Sequence, residues 1–171
     1  MTAPVPKAIP HGAAGPRRMG TIHAQAPAIY LHEKILDQVI AHSESDTSRE
    51  VGGFLIGGLH RQGHEFLEIR HYLPAAAQGD AASLSFTHET WSALNREVEK
   101  RFPKELVLGW HHTHPGMGVF FSGYDTFLHE NFFNQPWQIA LVVDPLRCEL
   151  VFFQWLEGHL VDCGFYLVPA R

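Results

Sequence analysis

The sequence predicts an α/β fold of the α+β kind, in which one curved, mixed β-sheet is flanked by helices. Strand-like and helix-like segments alternate in the order β-α-β-β-α-β-α-β-β-β, which is typical of such a sheet. The length of 171 residues suits one domain with its own core. Hydrophobic residues make up 45% and charged residues 18%, which is typical of a globular protein. We therefore predict one domain over residues 27–171.

Residues 1–26 are predicted to form a flexible tail, because four prolines stand among small residues without any period. The tail lacks the apolar core of a secretory signal, and no segment reaches the roughly 18 apolar residues that a membrane span needs. Cys148 and Cys163 form no CxxC pair, so a reduced, cytoplasmic protein is expected. The net charge of −5, without a basic stripe, predicts neither a nucleic-acid partner nor a membrane partner.

The first half of the chain predicts a strand, a helix and a hairpin. "PAIYL" (27–31) opens a short strand, and a helix follows to about Ser43 because apolar residues recur at helical spacing: Leu31, Ile35, Leu36, Val39 and Ile40. "EVGGFLIGGLHRQ" (50–62) is a strand whose four glycines let another backbone approach closely. After a turn at "QGH", apolar and polar residues alternate up to Leu73, which predicts the second strand of a hairpin.

The second half begins with a predicted loop at 74–83 and a helix capped by Thr87, which Pro103 stops. "ELVLGWHHTH" (105–114) is the next strand, and a helix runs from near Ser122 to about Phe133. Three strands close the chain: "QIALVVD" (138–144), "CELVFFQWL" (148–156) and "LVDCGFYLV" (160–168). The first of the three is apolar throughout and is expected to be buried on both faces.

The "HHTHP" segment predicts a metal site. Successive strand side chains point to opposite faces, so His112 and His114 share one face about 6.6 Å apart at roughly 3.3 Å per residue. Two imidazoles at this spacing can bind one zinc ion, each at about 2.0–2.1 Å. His111 points the other way and is expected to be a hydrogen-bonded histidine without a functional role. Pro115 ends the strand, so the pair lies at a rim, where sites are commonly built.

Two acidic residues can complete such a site, and each has a simpler interpretation. Asp125 is a candidate third ligand, but Ser122 followed by Asp125 is also a capping box at a helix start. The two interpretations are compatible, because an aspartate in a first helical turn can also reach an ion beside it. Glu50 is a candidate general base for proton transfer to a leaving amine, or else a solvated charge at a strand end.

Taken together, Glu50, "HTHP" (112–115) and "SGYD" (122–125) resemble the signature of the JAB/MPN zinc metalloproteases, also called JAMM or MPN+ proteins. That signature has a distant glutamate, His-Ser/Thr-His-Pro, and Ser-x-x-Asp, with ten residues between the second histidine and the aspartate. The segments "EVGGFLIG" and "IALVVDP" also look like the family's corresponding strands. Other zinc hydrolases are disfavoured, because HExxH and the deaminase P-C-x-x-C are absent.

The resemblance implies the JAB/MPN fold with its cytidine-deaminase-like layering, and it implies a role for each matching residue. His112, His114 and Asp125 match the ligands of one Zn²⁺ per chain, and a water would complete the coordination. Glu50 matches the residue that activates this water. Ser122 matches the residue that stabilises the oxyanion, although a role as a helix cap alone stays open.

The resemblance further implies an isopeptidase or peptidase of deubiquitinase type. It would cleave after the C-terminal Gly-Gly of ubiquitin or a ubiquitin-like protein, and stand-alone prokaryotic members do so in conjugation and antiviral systems, with E1- or E2-like proteins encoded nearby. Two alternatives stay open: processing of sulfur-carrier precursors, and a non-catalytic module that binds a ubiquitin-like protein. The sequence has no room for a large insertion after Asp125, so tight selection of one polyubiquitin linkage is not expected.

Overall fold

The computed structural model describes residues 15–75 and 88–170. Its helices are α1 (Glu33–Glu44), α2 (His88–Arg101) and α3 (Gly123–Phe132). Its strands are β1 (Arg17–Met19), β2 (Ala28–His32), β3 (Gly52–Gln62), β4 (His64–Pro74), β5 (Leu106–Thr113), β6 (Ile139–Asp144), β7 (Glu149–Leu156), β8 (His159–Cys163) and β9 (Phe165–Val168). The predicted cap Thr87 and most of the predicted loop 74–83 lie outside the described residues.

The strands form one mixed sheet in the order β1-β9-β2-β4-β3-β5-β6-β7-β8. The pairs β2–β4, β2–β9 and β5–β6 are parallel and the remaining neighbours are antiparallel. The predicted α+β class with a single mixed sheet is therefore confirmed. The sheet places β3 beside β5, which is the pairing that brings Glu50 and the two candidate histidine ligands together.

The two faces of the sheet bury the two largest clusters of apolar side chains. On one face, Ile35 and Val39 of α1 pack among residues from most of the strands. On the other face, residues of α2 and α3 pack against Phe54, Trp110 and neighbouring strand residues. Periodic apolar residues explain both arrangements, since each helix buries one stripe against the sheet. Among the described residues, no helix combines the length and the apolar character that crossing a membrane requires.

The C-terminal segment differs from the single strand predicted over 160–168. Gly164 divides it into β8, which pairs with β7, and β9, which lies between β1 and β2. Gly164 donates its N–H to the Thr21 carbonyl at 2.6 Å, and a Cβ on Gly164 would collide with the Met19 carbonyl oxygen. The chain thus passes from one end of the sheet to the other across one glycine, so the sheet is strongly curled around α1.

Residues 17–19 lie within the range for which the sequence predicts no regular element. In the structure they form β1, which pairs antiparallel with β9 through Arg17↔Leu167, Arg18↔Tyr166 and Met19↔Phe165. Their side chains are exposed or half-buried, so no alternation of apolar and polar residues marks the strand. Main-chain hydrogen bonding to β9 and packing of Met19 against the apolar core hold this segment in the sheet.

Candidate metal centre

The pairing of β3 with β5 builds the base of the site. Gly52 lies opposite His112 in this antiparallel pair, and Thr113 donates its N–H to the Val51 carbonyl at 2.9 Å. Glu50 directly precedes Val51 and is thereby placed beside the end of β5. The alternation of strand side chains puts His112 and His114 on the face that α3 covers, as the sequence predicts.

The structure brings His112, His114 and Asp125 together. The Nε2 atoms of both histidines lie 3.1 Å from Asp125 Oδ2, and the three ligand atoms all lie within 4.8 Å of one another. All three side chains are buried. Such a cluster of two imidazole nitrogens and one carboxylate oxygen is a donor set that catalytic zinc sites use.

The hydrogen bonding of His112 is that expected of a metal ligand. Both of its ring nitrogens are buried, and neither makes a well-directed hydrogen bond within the described part of the chain. Buried polar atoms without protein partners are rare, and binding of an ion is one recognised reason for them. The residues present therefore fit a divalent cation held by His112, His114 and Asp125.

Asp125 also caps helix α3, so the two interpretations of the sequence hold at once. The Asp125 N–H donates to Ser122 Oγ at 3.0 Å, and the Ser122 N–H donates to Asp125 Oδ2 at 2.9 Å. The capping box fixes the carboxylate in the first turn of α3, which points it at the two histidines. Ser122 Oγ accepts one bond in this arrangement, and a hydroxyl that accepts still has a proton to donate.

Asp125 carries the negative charge that a metal ligand set needs. Burial alone would raise the pKa of Asp125, but the imidazoles of His112 and His114 and the Ser122 N–H lower this pKa well below its usual range. Asp125 is therefore a carboxylate at neutral pH. Burial would lower the pKa of His114, yet Asp125, and after it Glu50, raise it above the usual value. An anionic ligand beside two histidines attracts a cation.

Glu50 lies at the open side of the cluster. Its Oε1 atom is 3.5 Å from His114 Nε2, and its side chain is 22% exposed while those of His114 and Asp125 are almost fully buried. The carboxylate is thus next to the candidate ligands and also accessible to solvent. A group in this position can exchange protons with a water molecule or a leaving amine at the centre.

His111 faces the opposite side of the sheet and is fully buried, which confirms its prediction as a hydrogen-bonded histidine. Its Nδ1 lies 2.9 Å from the Tyr72 hydroxyl and its Nε2 lies 2.9 Å from Ser43 Oγ. Burial, and then the neighbouring His112, lower the pKa of His111 far below its usual value. His111 is therefore a neutral side chain that links α1, β4 and β5 on the side of the sheet opposite the candidate metal ligands.

Two further residues support the centre and were not predicted. The Trp110 ring stacks on His112 with centroids 4.3 Å apart, and its Nε1 donates to His129 Nδ1 at 2.9 Å. The sequence does place Trp110 on the same strand face as His112, two residues earlier, which is a usable signal. The sequence gives no such signal for His129, because the contact between Trp110 and His129 joins β5 to the far end of α3.

Comparison with known proteins agrees with this geometry. The family described as JAB1/Mov34/MPN/PAD-1 ubiquitin protease matches residues 24–135, more than half of the chain. The chain belongs to this family. The resemblance of the sequence to JAB/MPN proteins is thereby confirmed, and the matched range includes Glu50, both histidines and Asp125.

Several curated relatives align with large parts of this JAB-family chain. COP9 signalosome complex subunit 5 of Caenorhabditis elegans is 28% identical over 108 residues, which are 62% of this chain and 29% of the relative. The 26S proteasome regulatory subunit rpn11 of Schizosaccharomyces pombe is 25% identical over 147 residues, 82% of this chain and 43% of the relative. NAD(+) hydrolase TcpA of a Theionarchaea archaeon is 28% identical over 121 residues, 70% of this chain and 35% of the relative. The chain thus spans less than half of each of these proteins.

A solved structure supports the fold independently. The solution structure of protein DSY2949 from Desulfitobacterium hafniense superimposes with a TM-score of 0.60, covering 84% of this chain and 93% of that one. The sequence identity is 19%, so this likeness concerns the fold alone.

Proposed function

We propose that this chain is a zinc-dependent isopeptidase or peptidase of the JAMM type. It cleaves after the C-terminal Gly-Gly of ubiquitin or a ubiquitin-like protein, either to release the modifier from a target or to process its precursor. The observation that carries the proposal is the convergence of His112, His114 and Asp125 with Glu50 beside them. Membership of the JAB family adds the class of substrate.

Each residue has a role that its position allows. His112, His114 and Asp125 would hold one zinc ion, which supplies Lewis-acid polarisation and a lowered pKa for water when it is bound. The Glu50 carboxylate accepts a proton from the attacking water and delivers it to the leaving amine. The Ser122 hydroxyl donates a hydrogen bond to the oxyanion that develops on the scissile carbonyl. The capping box with Ser122 fixes Asp125, and the Trp110 ring packs on His112.

The rim of the site supports a protein as substrate. Apolar side chains at the rim are strongly exposed: Met117 is 64%, Phe127 56%, Tyr124 45% and Phe120 41% exposed. The Phe120 ring packs 4.6 Å from the His114 ring, so this apolar surface begins at the metal centre itself. Exposed apolar groups beside a catalytic centre suit a folded protein partner better than a small polar substrate.

We place the function in a ubiquitin-like conjugation system of prokaryotic type, including antiviral systems. The short connection between α3 and β6 supports this, because it leaves no room for a second large insertion beside the site. E1- or E2-like proteins encoded nearby would be the partners. Neighbouring genes for cysteine or thiamine synthesis would instead favour sulfur-carrier processing by the same chemistry.

The test is cleavage of fusions in which a ubiquitin-like protein ends in Gly-Gly before a reporter, using the zinc-loaded full chain. We expect cleavage after the second glycine and one zinc per chain. Glu50→Ala should retain zinc. Its cleavage rate should fall by about 10²–10⁴-fold, which is the usual contribution of a general base. One zinc per chain without cleavage of any such fusion would instead favour a non-catalytic binding module. Wild-type rates in Glu50→Ala would exclude the mechanism.

A further inference from the structure

Asp144, at the end of β6, is a fully buried carboxylate that makes its hydrogen bonds with main-chain N–H groups of two loops. Its Oδ1 atom accepts from Leu146 at 3.0 Å and Arg147 at 3.1 Å, both in the turn that follows β6. The same oxygen accepts from Gly116 at 2.9 Å, and Oδ2 accepts from Gly118 at 2.8 Å. The last two donors belong to the loop that follows His114.

The first pair of bonds is local and the second pair is not. An aspartate that accepts N–H groups two and three residues later is an ordinary turn residue. Gly116 and Gly118, in contrast, are 28 and 26 residues away in sequence. A turn does not require these bonds, so they indicate that Asp144 also fixes the conformation of residues 115–118.

That loop is directly attached to the candidate metal centre. His114 donates its N–H to the Val143 carbonyl at 2.9 Å, and the His114 carbonyl accepts from Met117 at 3.1 Å. Gly116 and Gly118 have positive φ values of 72° and 89°, conformations that other residues rarely adopt.

The electrostatics of Asp144 agree with this role. Burial alone would raise the pKa of Asp144, but the N–H groups of Gly116, Gly118, Arg147 and Leu146 lower it below the usual value. Asp144 is therefore an anion at neutral pH, and hydrogen bonds to a charged acceptor are stronger than those between neutral groups. A rigid connection between β6 and the loop after His114 follows.

We propose that Asp144 is a positioning residue for the metal centre, which holds His114 in its ligating orientation through the amides of Gly116 and Gly118. The inference rests on the proposed metal-binding function of His112, His114 and Asp125. Asp144 is not one of the three candidate ligands. In other metalloproteins, residues that orient the metal ligands through hydrogen bonds have a similar role. Their mutation typically lowers metal affinity or activity by about 10–100-fold.

Asp144→Asn is the decisive variant because the two carboxylate oxygens have different partners. An asparagine that keeps its carbonyl oxygen towards Gly116, Leu146 and Arg147 must point its NH₂ group at the Gly118 N–H, where two donors oppose each other. Glu149→Gln is the matched control, since Glu149 pairs with Asp144 across β6 and β7 and is exposed. It removes a nearby carboxylate charge and leaves the bonds of Asp144 in place.

Three measurements on the full chain test the proposal. Hydrogen exchange of the Gly116 and Gly118 amides in the zinc-free protein should become at least tenfold faster in Asp144→Asn and stay unchanged in Glu149→Gln. Zinc affinity, measured by competition with a chromophoric chelator, should fall about 10–100-fold in Asp144→Asn alone. In the cleavage assay at saturating zinc, kcat should fall and KM should stay nearly constant.

Several results would overturn the proposal. One is a lower melting temperature of Asp144→Asn with unchanged zinc affinity in the folded protein, because that is a purely structural effect. If zinc affinity fell equally in Asp144→Asn and Glu149→Gln, the loss would come from removing a negative charge near the site and not from the hydrogen bonds of Asp144. If Asp144→Asn does not fold, Asp144→Ser replaces it, since serine can accept the turn N–H groups but is too short to reach Gly118. If the wild type binds no zinc, the proposed function fails, while the exchange rates still decide whether Asp144 holds the loop.

Discussion

Thr113 and Val51 are joined by two hydrogen bonds where β3 and β5 meet. The Val51 N–H donates to Thr113 Oγ1 at 2.9 Å, and the Thr113 N–H donates to the Val51 carbonyl at 2.9 Å. Thr113 stands between the two candidate histidine ligands, and Val51 directly follows Glu50. The pair therefore sets the position of the proposed base relative to the proposed ligands.

Replacing Thr113 with valine should separate base placement from metal binding. The buried Val51 N–H loses its acceptor in Thr113→Val, which costs about 1–3 kcal/mol of stability and frees the segment that carries Glu50. We expect kcat to fall by about 10–100-fold, because displacements near 1 Å cost up to about 10²-fold. Zinc stoichiometry should stay at one per chain.

Thr113→Ser is the control for this experiment, because serine keeps the hydroxyl and loses only a methyl group. Both variants should be assayed well below their melting temperatures. Equal rates in the valine and serine variants would show that the Thr113 hydroxyl does not position Glu50.

Removal of one ligand should abolish the effect of zinc on stability. Zinc at 100 times its dissociation constant stabilises a native protein by about 2.7 kcal/mol, which raises the melting temperature of a chain of this size by roughly 5–10 °C. We expect this shift in the wild type and none in His114→Ala. His159→Ala, at an exposed histidine of β8, should behave as the wild type. A zinc-dependent shift that survives in His114→Ala would mean that the ion binds elsewhere.

The two roles of Ser122 can be separated by mutation. Ser122→Ala removes the cap of α3, at a typical cost of about 1 kcal/mol, and also the proposed oxyanion donor, at a cost of about 10²–10³-fold in kcat. Ser122→Thr keeps the hydroxyl and should retain most of the stability and the rate. Thermal unfolding and cleavage kinetics measure the two effects. A variant Ser122→Ala that is less stable but fully active would leave Ser122 as a helix cap only.

The buried His129 should make the zinc-free protein less stable in acid. Burial and the nearby His112 lower the pKa of His129 to about 4, although the Gln138 backbone opposes this shift. An unfolded histidine titrates near 6.5. Between these values the unfolded chain binds a proton that the folded chain excludes, so the free energy of unfolding falls as the pH falls from about 6.5 to 4.

The expected loss from His129 is about 3 kcal/mol at most, at 1.36 kcal/mol per pKa unit. Denaturant unfolding at pH 7 and pH 4.5 measures it. His129→Asn is the comparison, because its side-chain oxygen can still accept the Trp110 N–H but does not titrate. The asparagine variant should lose less stability on acidification than the wild type. An identical loss in both proteins would rule out His129 as a source of the pH dependence.

Local sequence patterns were sufficient for most of the fold. The periods of apolar residues predicted α1, the β3–β4 hairpin and β5, because each pattern is contained within one element. The division at Gly164 was not predicted, since "LVDCGFYLV" is a mainly apolar segment in which a single glycine is compatible with one strand. What breaks it is the close approach of residues 19–21, a contact between distant parts of the chain that no local pattern contains.

The candidate site could also be predicted only in part from the sequence. His112 and His114 could be paired from strand alternation, and Asp125 could be placed by the capping box and the family resemblance. The supporting groups could not be predicted in the same way. Asp144 ends the family-like segment "IALVVDP", but its bonds to Gly116 and Gly118 depend on the parallel pairing of β5 with β6, which the sequence does not contain.

The crossing at Gly164 has a consequence for synthesis on the ribosome. Strand β9 lies between β1 and β2, so β2 has no neighbour on that side until residues 165–168 have emerged. Nascent chains of this protein therefore display an open, hydrogen-bonding edge at β2 until β9 has been synthesised. Stalled or prematurely released chains would carry the same edge, which makes them natural clients for chaperones and prone to self-association.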